Sequence, residues 1–227
     1  RAKFIYINYP NNPTGAVATK AFYEKLVAWA KTYEVGVVSD LAYGALGYRG
    51  YENPSFLSTP GAKDVGIEFY TFSKTFNMAG WRLAFAAGND QMIEALNLIQ
   101  DHLFVGIFPA LQEAGIAALL DPKSEEAVAQ LNATYDSRRD AFVQAAAKIG
   151  WKAFPSKGSF YAWMPVPEGY TSESFADLLL EKAHVAVAPG KGFGPAGDAY
   201  VRIGLLVEPE RLVEAVDRIA NLHLFNN

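Results

Sequence analysis

Three observations in the sequence predict an α/β protein. Up to Gly150, short apolar runs typical of strands alternate with longer segments of helical periodicity. Turn-forming segments rich in Gly, Pro and Asn separate these runs. From Gly150 onward the strands and helices become shorter, which is typical of a small α+β domain. The chain therefore combines a longer α/β part with a shorter α+β part at its C-terminal end.

Composition narrows the possible classes of function. The 227 residues are 51% hydrophobic, which is enough to bury a substantial core. The net charge is −4 with Lys and Arg interspersed among acids, so we expect neither a nucleic-acid-binding face nor a polybasic membrane patch. There is no cysteine, and the three histidines lack metal-ligand spacing. No apolar run is long enough to span a membrane and no signal peptide is recognisable, which predicts a cytoplasmic protein.

The first strand is predicted over Phe4–Tyr9 and runs into the segment Pro10–Gly15, PNNPTG. Taken alone, this segment indicates only a favourable turn. Thr19 is predicted to cap a helix whose aromatic and aliphatic residues form one core-facing stripe. The members of that predicted stripe are Phe22, Leu26, Trp29, Ala30 and Tyr33.

A second buried strand, Val35–Val38, leads into Asp40 and Tyr43. An aspartate at a strand end is often a cap or turn residue. It can equally face a ligand, because α/β proteins bind ligands at the carboxyl ends of their strands. The following segment, 44–60, is predicted to be a surface loop with a short helix and exposed tyrosines.

A third strand, Gly66–Phe72, delivers Lys74 into a loop of small and polar residues. A lone lysine is usually a solvated surface charge. Here Thr71 and Ser73 add two hydroxyls, and Arg82 adds a fixed cation suited to phosphate. An amine that can lose its proton, beside donors for a phosphate, is what a Schiff base with pyridoxal 5′-phosphate requires.

The next elements are a strand over Leu83–Ala87 and a helix capped by Asn89 or Asp90. A continuous apolar segment, Leu103–Pro109, follows, and we expect it to pack in the core or in a dimer contact. Two further helices are predicted, over 110–120 and over 124–149.

The C-terminal part is predicted to contain a hairpin of Trp151–Phe154 with Ser159–Met164, and a helix beginning at Thr171. A strand over 184–188 and a strand over 199–206 follow, and Glu208 or Glu210 begins the last helix. Arg202 lies in the strand over 199–206, where it either points to solvent or serves a ligand.

Three glycines in this part fit the dinucleotide-binding fingerprint GxGxxG: Gly192, Gly194 and Gly197. That fingerprint needs a helix directly after it, so that the helix N-terminus can face the pyrophosphate. Because a strand is predicted there instead, the glycines are interpreted as turn positions.

The segment around the lysine resembles the signature of the fold type I, class I/II aminotransferases, which use pyridoxal 5′-phosphate. That signature places Ser or Gly three residues before the lysine, a small residue directly before it, and a Gly two residues before an Arg. This chain has Thr71, Ser73, Lys74, Gly80 and Arg82 at these positions. The one departure is Thr71, which keeps a hydroxyl.

The resemblance implies roles around the cofactor ring. Lys74 would form the Schiff base and act as the catalytic base. Asp40 would face the pyridine nitrogen and keep it protonated. Asn12, from the family's NPTG element, and Tyr43, from its Asp-x-x-Tyr pattern, would contact the phenolic oxygen.

The resemblance also implies sites for the two anions. Thr71, Ser73 and Arg82 would bind the cofactor phosphate. Arg202 would clamp the substrate α-carboxylate, with Asn12 also in the substrate site.

The same resemblance implies a three-layer, mostly parallel sheet with helices on both faces, over residues 1–134, as the second part of the large cofactor-binding domain. Residues 135–227 would form the small C-terminal domain. Since the chain begins at Arg1 and enters a strand almost at once, we expect it to be the C-terminal part of a longer polypeptide. We also expect a homodimer.

The predicted activity is transfer of an amino group between an amino acid and a 2-oxo acid. No Lys or Arg lies between Arg82 and Lys123, where relatives acting on dicarboxylates can carry an arginine, so a neutral or methionine-like side chain is favoured. Two alternatives remain open from the residues: a pyridoxal-phosphate-dependent carbon–sulfur lyase, and an aminotransferase-like effector domain of a transcription regulator.

Overall fold

The computed structural model describes residues 2–225, which form two compact units. The first unit contains the residues up to Pro10 together with Val17–Leu131. The second contains Asn11–Ala16 and the residues from Asn132 onward. The predicted domain division between residues 134 and 135 stays a prediction, and the compact units divide within the same long helix.

The first unit is built on a four-stranded sheet flanked by helices. Its strands are β1 (Phe4–Asn8), β2 (Gly36–Asp40), β3 (Gly66–Thr71) and β4 (Ala84–Gly88), in the order β1-β2-β3-β4. The first three strands are parallel and β4 is antiparallel to β3. The helices are α1 (Lys20–Tyr33), α2 (Ala62–Val65), α3 (Phe72–Thr75), α4 (Asp90–Leu103) and α5 (Pro109–Leu120), and α6 (Ser124–Lys148) continues into the second unit. The α/β class with a mostly parallel sheet is confirmed.

Helix α1 begins where predicted but buries a different face. The Thr19 hydroxyl accepts a hydrogen bond from the Phe22 amide (3.2 Å), which confirms the predicted cap. The buried residues are Tyr23, Leu26, Val27 and Ala30, with the i, i+3, i+4, i+7 spacing of one helical stripe. The prediction that Phe22, Trp29 and Tyr33 are core residues is therefore wrong, since they are 37–52% exposed. The buried ring is that of Tyr23, which meets Phe56 edge-on at 5.8 Å.

The segment 44–60 is fixed to the sheet by a buried carboxylate on β3. Glu68, only 6% exposed, accepts hydrogen bonds from the Ser39 hydroxyl (3.0 Å), the Ser55 hydroxyl (2.5 Å) and the Phe56 amide (2.8 Å). Because these bonds replace water around the charge, the carboxylate can remain inside the unit. The segment is not the exposed loop that was predicted, since Tyr48 is also buried.

The rest of the first unit follows the predicted helices closely. Asn89 caps α4 by accepting a hydrogen bond from the Met92 amide (3.1 Å), which confirms one of the two predicted caps. The apolar segment 103–109 packs only partly in the core of this unit, through Ile107, which lies against the cluster of Phe72, Met78 and Leu83. Its exposed residues are Leu103, Phe104, Val105 and Phe108, at 69–89%.

The second unit contains a three-stranded antiparallel sheet. Its strands are β5 (Tyr161–Pro165), β6 (Ala188–Pro189) and β7 (Tyr200–Gly204), in the order β5-β7-β6, and its helices include α7 (Ser172–Leu178) and α8 (Pro209–Ala220). The Thr171 hydroxyl caps α7, and Glu208 precedes α8, as predicted.

Two strand predictions in this unit are wrong. Residues 151–154 form no strand, and β5 pairs with β7 instead. The Phe154 amide still donates to the Trp163 carbonyl of β5 (2.9 Å). Trp151 is buried and its indole N–H donates to the Pro165 carbonyl (2.7 Å), so its side chain, rather than a strand ladder, anchors this segment. The strand predicted over 184–188 is reduced to β6, because His184 adopts a left-handed conformation (φ 55°) that interrupts extended backbone.

Candidate active site

In the first unit, the candidate residues follow two neighbouring parallel strands. Asp40 is the last residue of β2 and lies opposite Phe69 of β3. The pairing extends one step further, since the Leu41 amide donates to the Phe69 carbonyl (3.0 Å). Because β3 continues only to Thr71, the segment carrying Lys74 begins at the same edge of the sheet as Asp40. The carboxyl ends of parallel strands are where α/β proteins bind ligands.

Asp40 is held in place by backbone contacts on both sides. Its carboxylate accepts a hydrogen bond from the Ala42 amide (3.0 Å), and its carbonyl oxygen accepts one from the Asn8 side chain (3.0 Å). Loss of water around the side chain raises the pKa of Asp40, and the Ala42 hydrogen bond only partly opposes this effect. A carboxylate in such a place is stabilised by a cationic partner, such as a protonated ring nitrogen.

Lys74 lies in a short helix, α3, rather than in the loop that was predicted. The Thr71 hydroxyl caps this turn by accepting a hydrogen bond from the Ser73 amide (3.2 Å). The buried Phe72 and Thr75 hold the turn against the unit, which leaves Lys74 half-buried between them. The turn therefore fixes the backbone of the lysine directly after the end of β3.

A second anchor acts on the same turn from β3. The Tyr70 hydroxyl donates to the Thr75 hydroxyl (2.9 Å), and burial raises the pKa of Tyr70. The phenol consequently stays protonated and keeps this hydrogen bond over the physiological pH range.

The predicted phosphate-binding residues lie around this turn. The hydroxyls of Thr71 and Ser73 are 3.0 Å apart and hydrogen-bonded to each other. Arg82 is exposed, has a left-handed backbone (φ 54°) and donates to the Ala79 carbonyl (3.0 Å) through Nη1. A guanidinium with further N–H donors and two neighbouring hydroxyls is a donor set that suits a phosphate. Tyr43, predicted to contact the phenolic oxygen, is buried in the turn after β2.

In the second unit, Asn12 and Arg202 are directly bonded. Nη1 of Arg202 donates to the side-chain oxygen of Asn12 (2.7 Å). Arg202 is half-buried, so the alternative in which it simply points to solvent is not the one the fold adopts. The turn that carries Asn12 is held by the Lys157 amide and the Ser156 hydroxyl, which both donate to the Gly15 carbonyl (3.3 Å each).

Two residues beside Arg202 were missed by the sequence predictions. The Cζ atom of Arg202 lies 4.2 Å from the ring centroid of Tyr161 and 4.7 Å from that of Phe193. Tyr161 belongs to β5, and Phe193 belongs to the glycine-containing segment that was interpreted as a turn. The sequence gives no signal for this arrangement, because it depends on the pairing of β5 with β7.

Comparison with known proteins decides the family. The family model described as Aminotransferase class I and II matches residues 1–219. The chain is 59% identical over 225 residues to the L-glutamine–4-(methylsulfanyl)-2-oxobutanoate aminotransferase of Bacillus subtilis, and the match covers 99% of this chain and 56% of that protein. The chain belongs to the class I and II aminotransferases.

Other aminotransferases of this family are similar over the same length. An LL-diaminopimelate aminotransferase of Moorella thermoacetica is 49% identical over 219 residues, covering 96% of this chain and 56% of that protein. The apo structure of BacF from Bacillus subtilis superposes with a TM-score of 0.94 at 48% identity, covering 100% of this chain and 57% of that one. The chain thus spans little more than half the length of these aminotransferases. The predicted family resemblance is confirmed.

Class I and II aminotransferases depend on pyridoxal 5′-phosphate. The residues of the first unit fit this group chemically: an amine on Lys74, a carboxylate on Asp40 whose pKa is raised by lost hydration, and hydroxyl and guanidinium donors for a phosphate. Among residues 2–225 there is no cluster of side chains able to hold a metal ion, and no helix there is long and apolar enough to cross a membrane.

Proposed function

We propose that the complete protein is an aminotransferase that moves an amino group between a neutral, methionine-like amino acid and a 2-oxo acid. One observation carries the chemistry: Asp40 and the turn bearing Lys74 lie at the same edge of a parallel sheet. Membership of the aminotransferase family supports the reaction type.

Lys74 would hold pyridoxal 5′-phosphate covalently through Nζ and then serve as the base of the reaction. When bound, the cofactor supplies an electron sink for the negative charge that develops at the substrate Cα atom. The Nζ atom of Lys74 would accept the proton from the substrate Cα atom and act as the general acid and base of the reaction. Asp40 would hold the proton on the ring nitrogen, because a carboxylate that has lost part of its hydration favours a cationic partner.

The remaining candidates would position charged and polar groups. Thr71, Ser73 and Arg82 would bind the phosphate through two hydroxyls and a guanidinium. Tyr43 and Asn12 would donate hydrogen bonds to the phenolic oxygen.

Arg202 would bind the α-carboxylate of the substrate through the N–H groups that Asn12 does not use. A bidentate pair of this kind fixes the orientation of the amino acid as well as binding it. The hydrogen bond from Arg202 to Asn12 supports this role, because it orients the guanidinium without neutralising its charge.

Two observations support a methionine-like substrate. The relative from Bacillus subtilis at 59% identity is named for glutamine and 4-(methylsulfanyl)-2-oxobutanoate. The sequence also lacks Lys and Arg between Arg82 and Lys123, which removes one source of a cation for a second carboxylate. We therefore propose that 4-(methylsulfanyl)-2-oxobutanoate is the amino acceptor.

We also propose that the protein is a cytoplasmic homodimer. The exposed apolar residues Leu103, Phe104, Val105 and Phe108 support a protein contact, because such residues on neighbouring positions are unfavourable in water. Sedimentation equilibrium of the complete protein tests this. A dimer mass is expected, and a monomer at micromolar concentration would contradict the proposal.

The activity test uses the complete protein loaded with pyridoxal 5′-phosphate, with glutamine as donor and 4-(methylsulfanyl)-2-oxobutanoate as acceptor. Methionine should form, and Lys74→Ala should lower the rate on the order of 10³-fold or more. Lys63→Ala, which removes an exposed lysine of α2, should leave the rate unchanged.

Two results would overturn parts of this proposal. Faster transfer from aspartate and glutamate than from methionine, leucine and alanine would exclude a neutral substrate class. Release of pyruvate and ammonia from a cysteine-type substrate, without transfer to an oxo acid, would identify a carbon–sulfur lyase instead.

A further inference from the structure

The guanidinium of Arg202 lies close to two aromatic rings. Its Cζ atom is 4.2 Å from the centroid of Tyr161 and 4.7 Å from that of Phe193. Both distances are within the range of about 6 Å over which a cation is attracted to a ring face. At the edge of the same guanidinium, Nη1 donates to Asn12. Three neighbours therefore restrict the position of one cation.

The Arg202 guanidinium still has N–H groups that can donate hydrogen bonds to a ligand. Arginine has five N–H donors, and only one bond to an acceptor, Asn12, is formed among the residues that the structure describes. No carboxylate in that part of the chain forms an ion pair with Arg202. The rings stabilise the charge without neutralising it, because an aromatic ring has no formal charge. An anion can therefore still bind to the guanidinium.

The two rings are themselves firmly placed. Tyr161 lies on β5 opposite Gly204 of β7. The Trp163–Arg202 pair is two residues further along the same two strands. Its ring also meets that of Phe160 edge-on at 4.8 Å. A residue held by a strand ladder and a ring contact has little freedom to leave the guanidinium.

Phe193 is placed by the segment that carries it, although its side chain is 41% exposed. Its ring meets Trp163 edge-on at 6.0 Å. The Lys191 amide donates to the Ser172 hydroxyl (3.2 Å), and that hydroxyl donates to Asp198 (2.7 Å), so both ends of the segment are tied to α7. These contacts hold Phe193 beside the Arg202 guanidinium although much of its side chain is exposed.

We propose that Tyr161 and Phe193 are positioning residues for the substrate α-carboxylate, acting through Arg202. The inference rests on the proposed function, in which Arg202 binds that carboxylate. Contacts with the two rings and with Asn12 limit the rotation of the guanidinium. A planar carboxylate forms two parallel hydrogen bonds only with a guanidinium whose plane is held in place. Losing a ring frees the side chain to adopt other rotamers and weakens this alignment.

The test measures binding of 4-(methylsulfanyl)butanoate, which has the carboxylate but no amine and cannot react, to the complete protein by calorimetry. Tyr161→Leu and Phe193→Leu should each raise Kd by about 3- to 30-fold. Tyr161→Phe, which keeps the ring, should stay within about twofold. Phe154→Leu is the matched control, because Phe154 is a similarly exposed phenylalanine (42%) in the same unit, and it should not change Kd.

A second readout separates positioning from general damage to the fold. For methionine as amino donor, the Leu variants should raise KM by a factor similar to the change in Kd while kcat stays within about threefold. Phe193→Leu is expected to fold because the side chain is partly exposed, and its thermal unfolding provides the check.

The outcomes are separable from those of the activity test. If the protein binds 4-(methylsulfanyl)butanoate in a ring-dependent manner but transfers no amino group, the inference stands and the proposed function fails. Unchanged Kd in both Leu variants, an equal loss in Phe154→Leu, or no carboxylate binding by the unmodified protein would overturn the inference.

Discussion

Nη1 of Arg202 donates a hydrogen bond of 2.7 Å to the side-chain oxygen of Asn12, although 190 residues separate them in the sequence. Both residues belong to the same compact unit, which combines the Asn11–Ala16 turn with the C-terminal strands. Thr14 reinforces the turn, since its hydroxyl donates to the Asn11 side chain (2.7 Å). A neutral amide thus orients the arginine and leaves its charge available.

The neutrality of Asn12 can be tested by substitution. In Asn12→Asp a carboxylate would lie within ion-pair distance of Arg202 and compete with the substrate carboxylate. We expect KM for methionine to rise about 10- to 100-fold, because charge-assisted hydrogen bonds are worth about 1.5–3 kcal/mol. Asn12→Ala removes the orienting bond without adding a competitor, so its KM should rise less. Equal effects of the two variants in steady-state kinetics would contradict this explanation.

The ionised Asp40 carboxylate, which the proposed reaction needs, should slightly lower the free energy of unfolding. Burial raises the pKa of Asp40, so the folded state binds this proton more tightly than the unfolded state does. The folded protein therefore loses stability as pH rises from the ordinary pKa of aspartate, about 4, through the raised value, and the cost is absent in more acidic solution. The cost is modest because the side chain is partly exposed and screened by solvent.

Asp40→Asn isolates this effect, because an asparagine oxygen can still accept from the Ala42 amide but cannot ionise. Without cofactor, the free energy of unfolding at pH 7 should be higher for the variant, and the difference should disappear toward pH 4. With cofactor, the variant should lose activity on the order of 10²-fold. Urea titrations at pH 4, 5.5 and 7 provide the measurement, and a pH-independent difference would show that the carboxylate is not the cause.

The strand ends were predictable, whereas the surroundings of Arg202 were not. Asp40 and Lys74 follow apolar runs whose length and composition already indicate buried strands, and parallel strands place such ends together. The contact of Arg202 with the Tyr161 ring depends on which strands pair, and β5 pairs with β7 across a long connection instead of forming the predicted hairpin. Local sequence patterns do not determine such pairings.

The helical face of α1 shows a second limit of local patterns. Both the stripe with Phe22 and the stripe with Tyr23 have helical spacing, and a shift of one residue rotates the helix by about 100°. Tyr23 is buried because Phe56 comes from a distant segment to meet it. The choice between the two faces is therefore made by tertiary packing.

Glu68 should be important for stability although the proposed chemistry does not use it. Glu68→Gln would turn one acceptor into an NH2 group that faces hydroxyl and amide donors, in a site that excludes water. A loss of about 1–3 kcal/mol in the free energy of unfolding is expected. Glu94→Gln, on the exposed side of α4, is the matched control and should change stability by less than about 0.5 kcal/mol. Similar stability of the two variants in urea titrations would exclude the proposed anchoring of segment 44–60.

Gly190 and Gly192, in the segment that carries Phe193, differ in the space available for a side chain. A Cβ atom on Gly190 would lie 2.1 Å from the Gly197 carbonyl oxygen and 2.4 Å from that of Tyr200, both rigid backbone atoms, whereas a Cβ on Gly192 would meet nothing within 4 Å. Gly190→Ala should therefore displace the segment and cost about 1–3 kcal/mol of stability, and Gly192→Ala should be nearly neutral. Because the displaced segment includes Phe193, Gly190→Ala should also raise KM for methionine, and Gly192→Ala should not. Thermal unfolding and steady-state kinetics of the pair check both expectations, and equal behaviour of the two variants would mean that close packing of Gly190 does not hold Phe193 over Arg202.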